Sequence, residues 1–374
     1  MTVAAFMDLA LYDPELGYYA RAARRTGRAG DFFTSVDVGP LFGELLEVQI
    51  AEMFRVLQTS DSRLQTFDLI EAGAGDGRLA ADILRAARAR NPSLYESLRL
   101  HLVEASAAAR AAQPATLAEV GERLVSSASA LPESFEGVLI ANELLDALPT
   151  HQVVMREEGL HEVYVQANVA RPFQGRGEGG PERPALRTSE APPSTPALQQ
   201  YLDALDIQLE PGWRAEINLL AVEWMRDAAR RLRRGFIIII DYGHEARDLY
   251  SASHAGGTLT TFAVHRSAGP ERGPAAPAWL QHPGGQDLTA HVDFTSIRAA
   301  AEAEGMTTVA FLDQTYFLLG LLSSSPDLQS AISNRQFKVL VMPGGLGSTH
   351  KVLILAKGVG TPALQGCSFK VRVT

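Results

Sequence analysis

Cysteine is almost absent. Cys367 is the only one in 374 residues, which excludes an internal disulfide framework and any thiolate metal cluster. A reducing compartment fits. An excess of positive charge is also missing: 34 basic against 43 acidic side chains leave −9 with histidine neutral. There is therefore no chain-wide cationic face for nucleic acid or anionic membrane. Long apolar runs are missing too, since stretches such as Phe236 to Ile240 fall far short of the roughly 20 residues a membrane helix needs. The chain opens Met1-Thr2-Val3-Ala4-Ala5-Phe6-Met7 and meets Asp8 at once. Without a basic lead or an Arg-rich amphipathic stretch, the expectation is a cytoplasmic protein with no targeting segment. What remains is ordinary globular composition, 46% hydrophobic and 21% charged, enough for one large domain with insertions or for two domains.

Short β-branched runs alternate with longer Ala/Leu/Arg-rich stretches of helical period, which signals an α/β fold. Phe67 to Glu71, Leu100 to Glu104, Leu124-Val125 and Gly137 to Ala141 read as strands. Arg78 to Arg90 and Ala105 to Ala118 read as helices. Glu216 to Arg233 reads as a helix running into Phe236-Ile237-Ile238-Ile239-Ile240-Asp241, a strand buried on both faces. Phe294–Glu304 reads as a helix and Thr307–Leu312 as a strand, and Phe337–Met342 and Lys351–Ala356 read as a closing pair of strands. Two Gly/Pro-rich excursions, Arg171 to Pro196 and Ala255 to Gln286, interrupt the pattern. No internal repeat is visible.

The sharpest motif is Glu71-Ala72-Gly73-Ala74-Gly75-Asp76-Gly77, set between the first strong strand and the first strong helix. Glycines there permit a tight turn and close approach of a ligand, and the helix start offers free N–H groups. The spacing is not the G-x-G-x-x-G of dinucleotide enzymes, so a nicotinamide-linked dehydrogenase is the lesser alternative. An E-x-G-x-G-x-G loop in this position resembles motif I of class I S-adenosylmethionine (SAM) methyltransferases. Glu104, ending the second strand, stands where a Rossmann-type sheet places a ribose-binding acid. Asn142-Glu143 and Asp146 follow the fourth strand at the same ligand-binding edge.

Further blocks carry a wider likeness. They are Ala10-Leu11-Tyr12-Asp13-Pro14-Glu15-Leu16-Gly17-Tyr18-Tyr19, Gly30-Asp31-Phe32-Phe33-Thr34-Ser35, Asn142-Glu143 with Asp146-Ala147-Leu148-Pro149, Asp241-Tyr242-Gly243, Gln286 to Phe294, and Gly347 to Leu355. With the glycine loop they make the chain, over roughly residues 4–356, similar to the MidA-like SAM-dependent methyltransferases. Val36-Asp37-Val38 departs from the family pattern, as do the expanded 171–196 excursion and the tail beyond Gly358.

The resemblance implies a class I, Rossmann-like seven-stranded sheet, mostly parallel with one antiparallel strand at or near the edge. The expected organisation is a cap and cofactor lid at 1–60, core at 61–148, an insertion at 149–213, core again at 214–243, a second insertion at 244–290, core at 291–358 and a tail at 359–374. It implies SAM as cofactor, held by Glu71, Gly73, Gly75, Gly77, Glu104 and Asn142, with Gly30, Asp31, Phe32 and Thr34 folding over it.

The mitochondrial member dimethylates an arginine of a respiratory complex I subunit, so the resemblance also implies a protein substrate, and a homodimer is possible. An arginine acceptor stays protonated and must be gripped by carboxylates, for which the candidates are Glu143 first, then Asp146, Glu216 and Asp241. His265, Asp287 and His291 are candidates for the wall of the substrate cleft. No metal is expected, because no tight ligand spacing appears. Methylation of a small molecule and SAM-dependent assembly of a partner without turnover are the alternatives.

Overall fold

The computed structural model describes residues 1–22, 34–60, 65–167, 186–263, 266–268, 277–333, 335–341, 347 and 349–369. Fifteen strands are found among them, in three sheets. In chain order they are β1 (Phe67–Ala72), β2 (Leu98–Val103), β3 (Leu124–Ala128), β4 (Phe135–Asn142), β5 (His151–Arg156), β6 (Gly159–Ala167), β7 (Leu186–Ala191) and β8 (Arg214–Ile217). Then come β9 (Leu232–His244), β10 (Thr260–Ala263), β11 (Arg266–Ala268), β12 (Asp287–Thr289), β13 (Val292–Asp293), β14 (Thr307–Asp313) and β15 (His350–Lys357).

The main sheet runs β14-β15-β9-β4-β1-β2-β3, with the two-residue β13 pairing alongside β9. Strands β3, β2, β1, β4 and β9 pair in parallel, and β15 is antiparallel to both β9 and β14. The antiparallel strand is thus second from the edge, as the class I methyltransferase pattern requires. The isoleucine run of β9 shows why the centre holds. Phe236, Ile238 and Ile240 pack into the core on one face, Ile237 and Ile239 into the core on the other, and all five are fully buried. Each such side chain contributes about 1.5–3 kcal/mol on burial, so a charge at Ile238 would disrupt one layer and a charge at Ile239 the other.

The helix Leu41–Ser60 is part of this core. Phe42, Leu45, Leu46, Ile50, Met53 and Leu57 bury one stripe of it against the sheet side that also holds Leu69 and Val138. The expected N-terminal cap therefore reduces to the helix Val3–Tyr12 and its neighbours. That helix buries Val3, Phe6, Met7 and Leu11 against Val154, Val163 and Val165 of the second sheet. This second sheet, β7-β6-β5-β8, is antiparallel throughout, and β11-β10-β12 form a third.

Three expectations are corrected. The helix expected from Glu216 starts only at Leu219. Residues Arg214–Ile217 are strand β8, paired to β5, and the Asn218 carboxamide oxygen caps the helix by accepting from the Ala221 N–H at 2.9 Å. Residues Phe337–Met342 were expected as a strand, but Arg335–Val341 is a helix that buries Phe337 and Leu340, a spacing of three that alternation cannot produce. Of the 171–196 excursion, residues 171–185 lie outside the described residues, and Leu186–Ala191 pairs with β6 as a strand.

Candidate active site

Because β1, β2, β4 and β9 are parallel neighbours, their carboxyl ends fall on one edge of the sheet. The glycine loop, Glu104 and Glu143 follow those ends, and Asn142 and Asp241 lie in the last residues of β4 and β9. Strand β15 runs the other way and so begins at this edge, with His350 opposite Tyr242.

Gly73, Gly75 and Gly77 have φ of 72°, 51° and 84°, the left-handed region where a side chain is strained. Gly77 is the N-cap of the helix Arg78–Arg90 and has no side chain to satisfy the first N–H groups. Glu71 does it instead: its Oε2 accepts from the Ala80 N–H at 3.0 Å. Burial pushes this carboxyl up to about 8, against that hydrogen bond, and the charges of Asp76, Glu104 and Asp82 add to the rise. Glu71 thus braces the loop from below. Glu104 accepts the Gly75 N–H at 2.8 Å and the Ser106 N–H at 2.7 Å. Gln113, unforeseen in the sequence, donates to the Gly75 carbonyl at 2.9 Å and is itself held by the Ser127 hydroxyl at 2.6 Å. A Cβ added at Gly75 would meet nothing within 4 Å. The loop is therefore rigidly supported beneath and open above, with a carboxylate beside it, which is the shape and chemistry an adenosyl cofactor fits.

The turn after β4 is tighter. Glu143 has φ of 52°, a cost of order 1–3 kcal/mol for a non-glycine residue. Asp241 holds it there: its Oδ2 accepts from the N–H groups of Leu144, Leu145 and Asp146 at 3.2, 2.8 and 3.4 Å, and its Oδ1 from that of Tyr242 at 2.8 Å. Burial nevertheless lifts the Asp241 carboxyl to about 7. Asp146 is driven well above the usual carboxylate range by burial, then by Asp241, Glu143 and Asp287. Glu143 Oε1 accepts from the Ser35 N–H and the Asn142 amide, both at 3.2 Å, and lies 3.6 Å from His350 Nε2. The His350 ring lies against Tyr242, tilted by 42° with centroids 3.9 Å apart. Glu143 Oε2 and Asp146 Oδ1 are buried and have no hydrogen-bond partner among the described residues.

The N-terminal segment closes on this edge from both sides. Tyr19 donates to Asp287 Oδ1 at 3.0 Å, while its carbonyl accepts from the Ser106 hydroxyl at 3.1 Å. Tyr12 donates to the Ala147 carbonyl at 3.1 Å. Thr34 donates its hydroxyl to Asp37 at 3.0 Å, and Asp37 takes the Arg78 guanidinium at 2.8 Å.

Not every candidate converges. Glu216 stands on β8, where it accepts from Gln152 at 2.9 Å and from the Thr258 N–H and hydroxyl at 2.6 and 3.0 Å. None of these bonds reaches the Glu143–Asp241 turn. His291 lies beside His244 and His254, and Gly30, Asp31, Phe32 and His265 lie outside the described residues. His350, Ser35 and Tyr19 belong to matched sequence blocks, yet nothing in the sequence points to their roles. His350 enters only through the antiparallel pairing of β15.

A mostly parallel sheet with this strand order, a motif-I glycine loop and an acid after the second strand define a class I SAM-dependent methyltransferase. Residues 45–312 match the family described as "Putative S-adenosyl-L-methionine-dependent methyltransferase", and the chain belongs to this MidA-like family. It is similar to the Drosophila melanogaster mitochondrial protein arginine methyltransferase NDUFAF7 homolog, 27% identical, over 96% of this chain and 82% of that protein. The mouse protein arginine methyltransferase NDUFAF7 is 28% identical, over 85% of this chain and 70% of its own length. A Burkholderia thailandensis crystal structure with S-adenosyl-homocysteine bound superimposes with a TM-score of 0.81 at 28% identity, covering 98% of this chain and 90% of that one.

Proposed function

We infer that this methyltransferase acts on arginine side chains of a protein, with a respiratory complex I-type subunit as the first acceptor to test. The observation that supports this reading is the buried acid group. Glu143 Oε2 and Asp146 Oδ1 have no hydrogen-bond donor among the described residues, and Asp146 lies in the field of Asp241, Glu143 and Asp287. Buried acid oxygens without donors are costly, and a planar guanidinium supplies N–H donors in a fork. The names of the curated relatives point the same way.

When bound, SAM supplies an electrophilic methyl group. Glu104 would receive its ribose hydroxyls and the open face of Gly75 would admit its backbone. Glu143 would grip two guanidinium N–H groups and orient the third nitrogen toward the methyl. Its charge would stay paired with the guanidinium, which is cationic before and after transfer, while the proton displaced from the methylated nitrogen leaves to solvent; His350 Nε2 lies 3.6 Å from Glu143 Oε1. Tyr19 and Asp287 would wall the acceptor side.

The test is methyl transfer from labelled SAM to extract of a strain lacking the gene, followed by peptide mass spectrometry. Label on arginine, lost when an arginine peptide is replaced by its citrulline analogue, supports the reading. Label confined to small molecules overturns it.

A further inference from the structure

Three histidines far apart in the sequence meet beside the catalytic edge. His244 ends β9, His254 lies in the short turn Ala252–His254, and His291 directly precedes β13. The pairing of Val292 with Gly243 and Asp293 with His244 draws the last of these alongside the first. The His291 N–H is fastened to the Thr258 hydroxyl at 3.1 Å. The ring centroids are 4.8, 5.4 and 5.8 Å apart, and one ligand nitrogen from each ring lies within 4.8 Å of the other two.

We propose that His244, His254 and His291 bind one first-row transition metal ion, with zinc as the occupant. Imidazole is a preferred ligand for zinc, at a Zn–N distance of about 2.0–2.1 Å. A tetrahedral site sets ligand nitrogens about 3.3 Å apart, so the trio, now within 4.8 Å of one another, has to draw together on binding.

Two observations beyond the cluster itself point to a ligand. His254 Nδ1 lies 3.0 Å from the Asp248 carbonyl, a bond that fixes Nδ1 as donor and leaves Nε2 its lone pair, as in metal sites where a second partner orients the ring. His291 Nδ1 is buried with no hydrogen-bond partner among the described residues, a polar atom that a metal would satisfy. All three residues are partly exposed, which leaves the fourth coordination position to water. The ion would tie the end of β9, the 246–257 segment and the start of β13 into one unit. Its binding does not depend on which acceptor the enzyme methylates.

The test uses tag-free full-length protein, stripped of metal and titrated with Zn²⁺ alone, and with Co²⁺ for its visible spectrum. Wild type is expected to take up one ion per chain, to give the intense Co²⁺ bands of a four-coordinate site, and to melt at a higher temperature with zinc. His244→Ala and His254→Ala should each weaken zinc binding by at least about a hundredfold, the scale of losing even a supporting partner. Their SAM affinity, measured in parallel, reports that they have folded. His161→Ala, on the second sheet, serves as the control and should bind zinc like wild type. Absence of stoichiometric zinc binding by wild type would overturn the proposal, and so would retained affinity in folded His254→Ala protein.

Discussion

At Gly75 a single hydrogen atom keeps the cofactor loop usable. Its φ of 51° and the open space above it mean that Gly75→Val would strain the turn and fill the cofactor's approach while touching nothing in the unliganded protein. SAM binding should therefore disappear from folded protein, and calorimetry showing wild-type affinity would refute the loop's role. Glu143 separates gripping from binding. Glu143→Gln keeps the bonds from Ser35 and Asn142 but removes the charge, so transfer to an arginine peptide should fall roughly 10² or more with SAM affinity within a few fold. Equal losses in both would move Glu143 to the methionine end of the cofactor.

Glu71 makes a pH prediction. Its ordinary value of 4.5 is raised to about 8 in the fold, so between these limits the folded chain holds a proton the unfolded chain has lost. Its contribution is fully present below about 4.5 and is lost as pH rises through about 8. Glu71→Gln, which keeps an acceptor for Ala80, should flatten this decline by a few kcal/mol, on the order expected from the shift. Denaturant melts of the unliganded pair at pH 5 and pH 9 read it directly, and parallel curves would discount the effect.

Elements with strong periodicity were legible without coordinates. The β9 isoleucine run, the helix Arg78–Arg90 and the glycine loop between strand and helix each carry their own pattern, and each lies where its pattern put it. What the sequence hid depends on pairing between distant segments. Nothing local distinguishes Arg335–Val341 from a short apolar strand, because only burial against the core selects a spacing of three over two. Likewise Glu216 looked like the start of a helix with a catalytic acid, whereas its strand is defined by a partner, β5, more than sixty residues earlier.

The second sheet therefore makes its own prediction. Glu216 is the shared acceptor for Gln152 and Thr258, and a Cβ on Gly257 would come within 2.5 Å of it. Glu216→Ala should cost about 3 kcal/mol by orphaning these buried donors, and Glu216→Gln should recover only part of it, because its one oxygen can serve Thr258 while the Gln152 amide is held by its oxygen's bond from Arg214. Thermal melts check this. A Gln variant as stable as wild type but inactive would return Glu216 to the catalytic list.

On the scale of the whole molecule, two bodies of structure meet at one edge. The parallel sheet delivers the cofactor loop and the acid turn. The second and third sheets, with the N-terminal helix packed among Val154, Val163, Trp279 and Leu288, deliver the opposite wall. Tyr19 is one place where they join, since its hydroxyl is bonded to Asp287 on β12 and its carbonyl to Ser106, two residues past Glu104. Tyr19→Phe removes only the first bond. The Ser106 contact goes through the backbone, so the cofactor side should be undisturbed and SAM affinity should stay within a few fold. Asp287 keeps the Leu288 N–H at 2.9 Å but loses the hydroxyl that fixes its direction, so the acceptor wall loosens. The expected outcome is a severalfold rise in KM for an arginine peptide with little change in kcat, because a group that only aligns the acceptor acts before the methyl moves. Steady-state kinetics with the peptide varied at saturating SAM measures both constants. A fall in SAM affinity with an unchanged peptide KM would assign Tyr19 to the cofactor side and leave the acceptor wall to be sought elsewhere on the edge.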